Sequence, residues 1–558
     1  MDRAGDRDTE HDRGATVSDA ETILRAGSLL DFGAAGRRPE SLGTRLAIAS
    51  GRIVAVGGAE VERAHPAAEI VDFGDDAAIL PGLIDCHTHP VWGSESQGGS
   101  IGLGGVTSLV QLRERLEAAH AAADPDAWIT GYDLDVNAFE GAEPNGRVFE
   151  EWLPGRLVSL MTRDAHALVV SPAVVAEVGL TGDEVFADAS SIVADVDGPT
   201  GWVLELQAMD LVFAHVPQAP LETQVDSLGE ALQRFAETGL TEVHALDFHE
   251  PSRELYEELE RRGDLPVRVR VYPLVPADST PEVWAGIAAL QGVGGRRWRV
   301  DGAKFMLDGT ADNGTAWFAE PDRLGENHEA LWRSTDAYRE AVRFFTERGV
   351  PTATHAIGDA AVDFVLDVVA EVGHAPSAPH RIEHIESIPD ATVARFAELG
   401  VVASIQPTHA TRLTEPDGSD NWSRRIGPER VAHGWRVRDL LAQGAPVVLG
   451  SDWPIGIGDP RVSLADAQLR RPVGEPDRGQ HQPDQKIDAA AAYRCMTSVP
   501  AGLFGGGASS DASCGRFEPD SVADLTVFAA DPMSLSPEAQ AVNPVLATFV
   551  DGRRIVGA

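Results

Sequence analysis

Residues 81–90 read PGLIDCHTHP, an apolar run that ends in two histidines, His87 and His89, separated by one residue. On a β-strand, side chains two positions apart point to the same side. A strand that finishes in this way therefore aims two imidazoles at one rim. Converging neutral nitrogens are what a metal ion requires, although a strand end can also carry two histidines as ordinary polar residues.

Further along the chain the same signature recurs. TATHAIGDAA ends a run at His355, HRIEHIES at His384 and VVLGSDWPI at Asp452. Four strand ends that offer four histidines and an aspartate to one rim make a metal centre the leading reading. A fifth component is Lys304 in RWRVDGAKFMLDGTADNG. An ammonium is a poor ligand and is costly to bury. A lysine carbamylated by carbon dioxide carries a carboxylate on a long stem and can bridge two divalent ions. The alternative is an ion pair with Asp308 or another carboxylate.

Working outward, apolar β-like runs alternate with helical stretches, the mark of βαβ units on a parallel sheet. Strands are expected at Ile79–Asp85, Glu242–Leu246, Val267–Tyr272, Arg299–Leu307, Pro351–His355, Arg381–Ile385, Val401–Ile405 and Val447–Asp452. Helices such as Leu221–Glu237 and Thr335–Arg348 fall between them. The class is α/β, and eight such strands make a (β/α)8 barrel the economical architecture, with active-site residues at its C-terminal mouth. It spans 81–509, with an inserted substructure at about 94–220, too long for one crossover. Short alternating strands fill both ends of the chain, suggesting a small β-sandwich from 21–80 plus 510–558. Residues 1–20 read as an acidic, disordered arm.

Composition narrows the function. The 558 residues carry 87 Asp+Glu against 46 Lys+Arg, a net charge of −41, yet 43% are hydrophobic. So apolar a chain buries a large core and is no disordered acidic protein. Its charge argues against nucleic-acid and anionic-membrane partners. Only Lys304 and Lys486 are lysines. That pattern resembles a salt-adapted, acidic proteome, and a halophilic source is expected. Cys86, Cys495 and Cys514 are too few and too scattered for a disulfide framework. No run of eighteen apolar residues predicts a membrane span, and Met1–Ser18 lacks the apolar core of a Sec-type signal, so a cytoplasmic protein is expected.

Taken together, PGLIDCHTH, KFMLDGT, THAIGDAAVD, RIEHIE, SIQPTH at 404–409, LGSDWPI and ADLTVFAADP resemble the amidohydrolase superfamily. The likeness is to its YtcJ-like branch, which includes N-substituted formamide deformylases, and runs from about Glu21 to the C-terminus. It implies a β-sandwich beside a metal-bearing barrel. The implied ligands are His87, His89, a carbamylated Lys304, His355, His384 and Asp452, holding one or two divalent ions, zinc foremost. It also suggests pocket residues within the insertion, His166 in DAHALVVSP and Glu205 in GPTGWVLE. Two departures stand out. Ala165 occupies a position where the family commonly has glycine, and the bulky Trp453 follows Asp452 where a small residue is usual, which would narrow the pocket.

The implied chemistry is hydrolysis of a non-peptide carbon–nitrogen bond in a small amide, with Asp452 moving the proton. Trp92, Gln406 and His409 are further pocket candidates. Tyr132, Trp202 and Trp317 could line the mouth or pack in the core. Asp308 and Asp359 read as supporting or capping carboxylates. A homodimer is the assembly considered. The competing readings are a deaminase or a cyclic-amide or carbamate hydrolase on the same site, and a non-catalytic binding protein.

Overall fold

The computed structural model describes residues 20–33, 40–97, 99–263, 265–504 and 515–557. The expected acidic arm, except Ala20, and Cys514 lie outside the described residues. Among the described residues, Cys86 and Cys495 are free and buried.

Two parallel sheets occupy the centre. In the first, Leu83–Thr88, Leu240–Phe248, Arg268–Pro273 and Trp298–Val300 pair in that order. In the second, the order is Ala303–Met306, Thr352–Ala356, Arg381–His384, Val402–Ile405 and Val447–Leu449. Isolated parallel bridges join the sheets on both sides, Leu274 with Lys304 and Thr88 with Trp453. These strands are buried on both faces, which explains why they read as continuous apolar runs rather than as alternating ones.

The intervening helices supply one cover. In Thr335–Glu347 the Ser334 hydroxyl accepts from the Ala337 N–H at 3.1 Å and starts the helix. Tyr338, Ala341, Val342 and Phe345 then recur at helical spacing and are buried. The rings of Tyr338 and Phe345 meet Phe305, next to Lys304, edge-on at 5.4 and 5.8 Å. This helix therefore seats the Lys304 strand.

Two expected strands divide where glycine admits a neighbour. Ile79–Asp85 becomes Ala78–Pro81 and Leu83–Thr88. A Cβ on Gly82 between them would lie 2.1 Å from Thr241 Oγ1. The first piece pairs with Leu525–Phe528 at the other end of the chain. His87 consequently lies inside its strand rather than after it. Arg299–Leu307 likewise divides at Gly302, where a Cβ would lie 2.3 Å from the Tyr272 ring.

The chain ends interleave. One six-stranded sheet runs Arg553–Val556, Val545–Val550, Leu525–Phe528, Ala78–Pro81, Ser28–Asp31 and Glu40–Ser41. A four-stranded sheet runs Arg52–Gly57, Arg45–Ala49, Thr22–Arg25 and Glu69–Asp72. A single apolar cluster draws Leu24 and Leu46 from the smaller sheet, and Ile79, Leu525 and Phe549 from the larger. Residues between Ile101 and Leu204 build a separate six-stranded sheet with apolar clusters of its own. Among the described residues no helix is long and apolar enough to cross a membrane.

Candidate functional site

The central strands bring their polar ends together. Asp452, three residues beyond the Val447–Leu449 strand, faces four histidines, and its Oδ2 lies 3.5 Å from His409 Nε2. Its Oδ1 lies 3.2 Å from His87 Nε2 and 3.0 Å from His89 Nε2, and its Oδ2 lies 3.9 Å from His384 Nδ1. The His384 ring is 4.8 Å from that of His87 and 4.4 Å from that of His355. Ligand atoms of His87, His384 and Asp452 all fall within 4.8 Å of one another, a grouping that could hold a metal ion. His87 Nε2, His384 Nδ1 and Asp452 Oδ1 are buried and lack an aligned hydrogen-bond partner.

The backbone is strained here. His384 has φ 75° and Asp452 φ 59°, left-handed values that cost a non-glycine residue about 1–2 kcal/mol each. Asp452 is held by its N–H donating to the His87 carbonyl at 2.7 Å, and the residue after His384 by the Ile385 N–H donating to the Ala356 carbonyl at 3.2 Å.

Burial sets the charges. It drives the His355 and His384 imidazoles well below their ordinary pKa, so both are neutral and keep a lone pair. Burial would raise the Asp452 carboxyl, but the neighbouring His87 and His89 hold it well below the carboxylate range. Lys304 is 1% exposed, and burial pushes its ammonium down to about 8 despite Glu383 and Asp452 nearby. Asp308, considered as its partner, instead accepts the backbone N–H groups of Trp317, Ile357 and Gly358 at 2.9–3.0 Å. It therefore acts as a loop and helix cap. Asp359 similarly accepts the Ala319 N–H at 2.7 Å.

A model of the amidohydrolase family matches residues 75–556, nearly the whole of this constellation's framework. The chain belongs to the amidohydrolase family. Three relatives of this amidohydrolase span most of its length. Protein LONG AFTER FAR-RED 3 of Arabidopsis thaliana is 27% identical and covers 91% of this chain and 88% of its own. The putative amidohydrolase YtcJ of Bacillus subtilis (strain 168) is 24% identical, covering 86% and 88%. An N-substituted formamide deformylase of Arthrobacter pascens is 25% identical, covering 90% and 93%. In fold it is similar to an uncharacterized metal-dependent hydrolase from Pyrococcus horikoshii OT3, with a TM-score of 0.71 at 23% identity over 92% of this chain and 99% of that one.

The amidohydrolase centre opens into a cavity of about 1130 Å³. Of the expected pocket residues, Trp92, His166 and His409 line it. Glu205 does not; it stands behind His166, its Oε2 2.8 Å from His166 Nδ1. Burial alone would lower the His166 pKa, but Glu205 pushes it up to about 9. Gln406 does not line the cavity either, because its Nε2 sits 3.4 Å from His87 Nδ1. Trp453 turns away as well. Its ring meets Phe235 edge-on at 5.2 Å and fills the space beside Gly93, so it does not narrow the pocket as expected. Tyr132 lines the cavity, whereas Trp202 is core and Trp317 packs on Phe364 at 5.5 Å.

Sequence reasoning missed Glu383 and Arg381. Glu383 Oε2 lies 2.7 Å from His87 Nδ1, which fixes that ring and directs Nε2 towards Asp452. Arg381 clamps Glu383, the Cys86 carbonyl and His244, all within the buried strands. Burial would raise the Glu383 carboxyl, but Arg381 and His87 hold it far below the usual range. The available signal was an arginine and a glutamate two apart in an otherwise apolar strand.

Proposed function

We propose that this chain is a metal-dependent hydrolase that cleaves a non-peptide carbon–nitrogen bond, with N-substituted formamides as the foremost substrates. The observation that carries this reading is the set of buried, unpartnered ligand atoms on His87, His384 and Asp452, all within 4.8 Å. Imidazole nitrogens converging on one carboxylate, those of His355 and His384 kept neutral by burial, suit a divalent ion such as zinc. His87, His89, His355, His384 and Asp452 would hold one or two such ions together with Lys304. Family membership and the named formamide deformylase support the amide assignment. We further read the two central sheets as one (β/α)8 barrel, supported by the bridges on both seams, and the interleaved chain ends as a β-sandwich.

Lys304 is suited to carbamylation. With its ammonium pushed down to about 8, part of it is a neutral amine at neutral pH. The amine nitrogen bonds to carbon dioxide, loses its proton to solvent and becomes a carboxylate-bearing side chain. A divalent ion bound at this centre supplies Lewis acidity for the amide carbonyl and lowers the pKa of water towards about 7.

The chain's own groups move the protons. Asp452, kept ionised, takes one proton from the attacking water. The new carbon–oxygen bond forms and the carbonyl oxygen gains negative charge, to which the His166 imidazolium in the cavity wall can donate. Asp452 then delivers its proton to the amide nitrogen as the carbon–nitrogen bond breaks. The products are a carboxylic acid and an amine.

Turnover on a panel of formamides, hydantoins and aminated rings tests this reading. Formate and amine should be released from the formamides, and Asp452→Asn should lower kcat by about 10²–10⁴. Turnover confined to the other two classes would move the assignment to a cyclic-amide hydrolase or a deaminase. No turnover by metal-loaded protein on any class would overturn it.

A further inference from the structure

The cavity wall is lopsided in charge. Among the described residues, nine carboxylates line it, Lys304 is its only lysine, and no arginine lines it. Over the whole chain there is roughly one cation for every two carboxylates, 46 against 87. The wall is therefore depleted of cations well beyond the general acidity of the protein.

Several of these carboxylates are satisfied from within. Asp164 accepts from Thr310 Oγ1 and Asn313 Nδ2, and Glu386 from Trp422 Nε1, all at 2.6–2.7 Å. Asp247 is different. It lies near the end of the Leu240–Phe248 strand and is 9% exposed. Its Oδ2 accepts the Trp92 N–H at 2.9 Å at the start of the Pro90–Gln97 helix. Its Oδ1 is buried without a partner in a residue that lines the cavity.

Glu95 lies three residues beyond Trp92 on the same helix and also lines the cavity. Burial raises its carboxyl, the nearby His249 draws it back down, and the charge of Asp247 adds to the rise. Two bases face this pair: His89, and His249, which is exposed at the rim with its Nδ1 taken up by the Glu250 carbonyl at 2.7 Å. A buried carboxylate oxygen without a partner is costly, and a bound cation is the group that removes the cost. The Trp92 indole lines the same cavity, and an aromatic face favours the same charge. The Trp92 ring meets His89 edge-on at 5.9 Å, and His89 reaches Asp452 at 3.0 Å, so this corner adjoins the reacting centre.

We propose that the substrate carries a cationic alkylammonium group, seated on Asp247 Oδ1 beside Glu95 and against the Trp92 ring, while its amide reaches Asp452. This inference rests on the amide-hydrolase reading above and names the substrate class within it. A neutral substrate of the same shape leaves the two carboxylates unpaired and binds more weakly.

The test uses choline and its uncharged isostere 3,3-dimethylbutan-1-ol, titrated calorimetrically into the metal-loaded protein, its Asp247→Asn and its Glu95→Gln forms. Choline should bind at least about tenfold more tightly than the isostere, and each substitution should shrink that ratio. The ratio is insensitive to a partial loss of folded protein. Each substitution shifts the net charge of −41 by only one, so general attraction of cations does not account for a change in it. Equal binding of the two probes, or a ratio unchanged in both variants, would overturn the proposal. Parallel kcat/KM values for formamides bearing the same two end groups separate the two readings. A retained choline preference without amide turnover defeats the hydrolase assignment and leaves the cation site standing.

Discussion

Glu205 acts on the site through His166. Their contact at 2.8 Å raises the His166 pKa from 6.5 to about 9 in the folded chain. Because the folded value is the higher one, the pair stabilises the protein fully below pH about 6.5, and that stability is lost as pH rises through about 9. The contribution is on the order of 3 kcal/mol. Chemical denaturation across pH 6–10 should show this decline in the wild type and a flatter profile in Glu205→Gln. Turnover should fall over the same range if the imidazolium serves the oxyanion. A pH profile for stability unchanged by the substitution would remove the pair from the account. At this scale the sequence showed which residues matter better than how they are used. His166 and Glu205 were both singled out, but only packing reveals that one faces the cavity and the other stands behind it. Ala165 shows the same limit: its φ of 62° explains why glycine is usual there, and nothing in the residue type announces that angle.

Strands carry the site, and their apolar runs made them legible. His355, His384 and Asp452 stand at or just after strand ends, as expected from the runs that precede them. The breaks at Gly82 and Gly302 were not legible, because each depends on a side chain distant in sequence, Thr241 and Tyr272. The same holds for the polar face of Arg381–His384. Arg381 and Glu383 share a side of the strand and are matched by His87 and His244 from other strands. If Glu383 orients His87, then Glu383→Gln should weaken metal affinity by about 10- to 100-fold, measured by competition with a chelator. Unchanged affinity in a folded variant would show that Glu383 serves the core alone.

The whole molecule is governed by its charge. A net −41 repels itself, and added salt screens that repulsion within about 3 Å at 1 M. Thermal unfolding should therefore shift upward by several degrees between low salt and about 1 M potassium chloride, the result expected of a salt-adapted chain. A transition that stays fixed or falls would contradict that expectation. The meeting of both chain ends in one sheet was legible because they share short alternating strands. The inserted sheet was visible only as excess length, since its strands mix parallel and antiparallel pairing and leave no regular period. The central claim is that His87, His384 and Asp452 form a metal centre with their neighbouring histidines and Lys304. Its most direct test is elemental analysis of protein purified in high salt, paired with native intact mass to detect carbon dioxide added to Lys304. We predict about two divalent ions per chain together with the added mass. No bound metal, even after reconstitution with zinc and bicarbonate, would contradict the account.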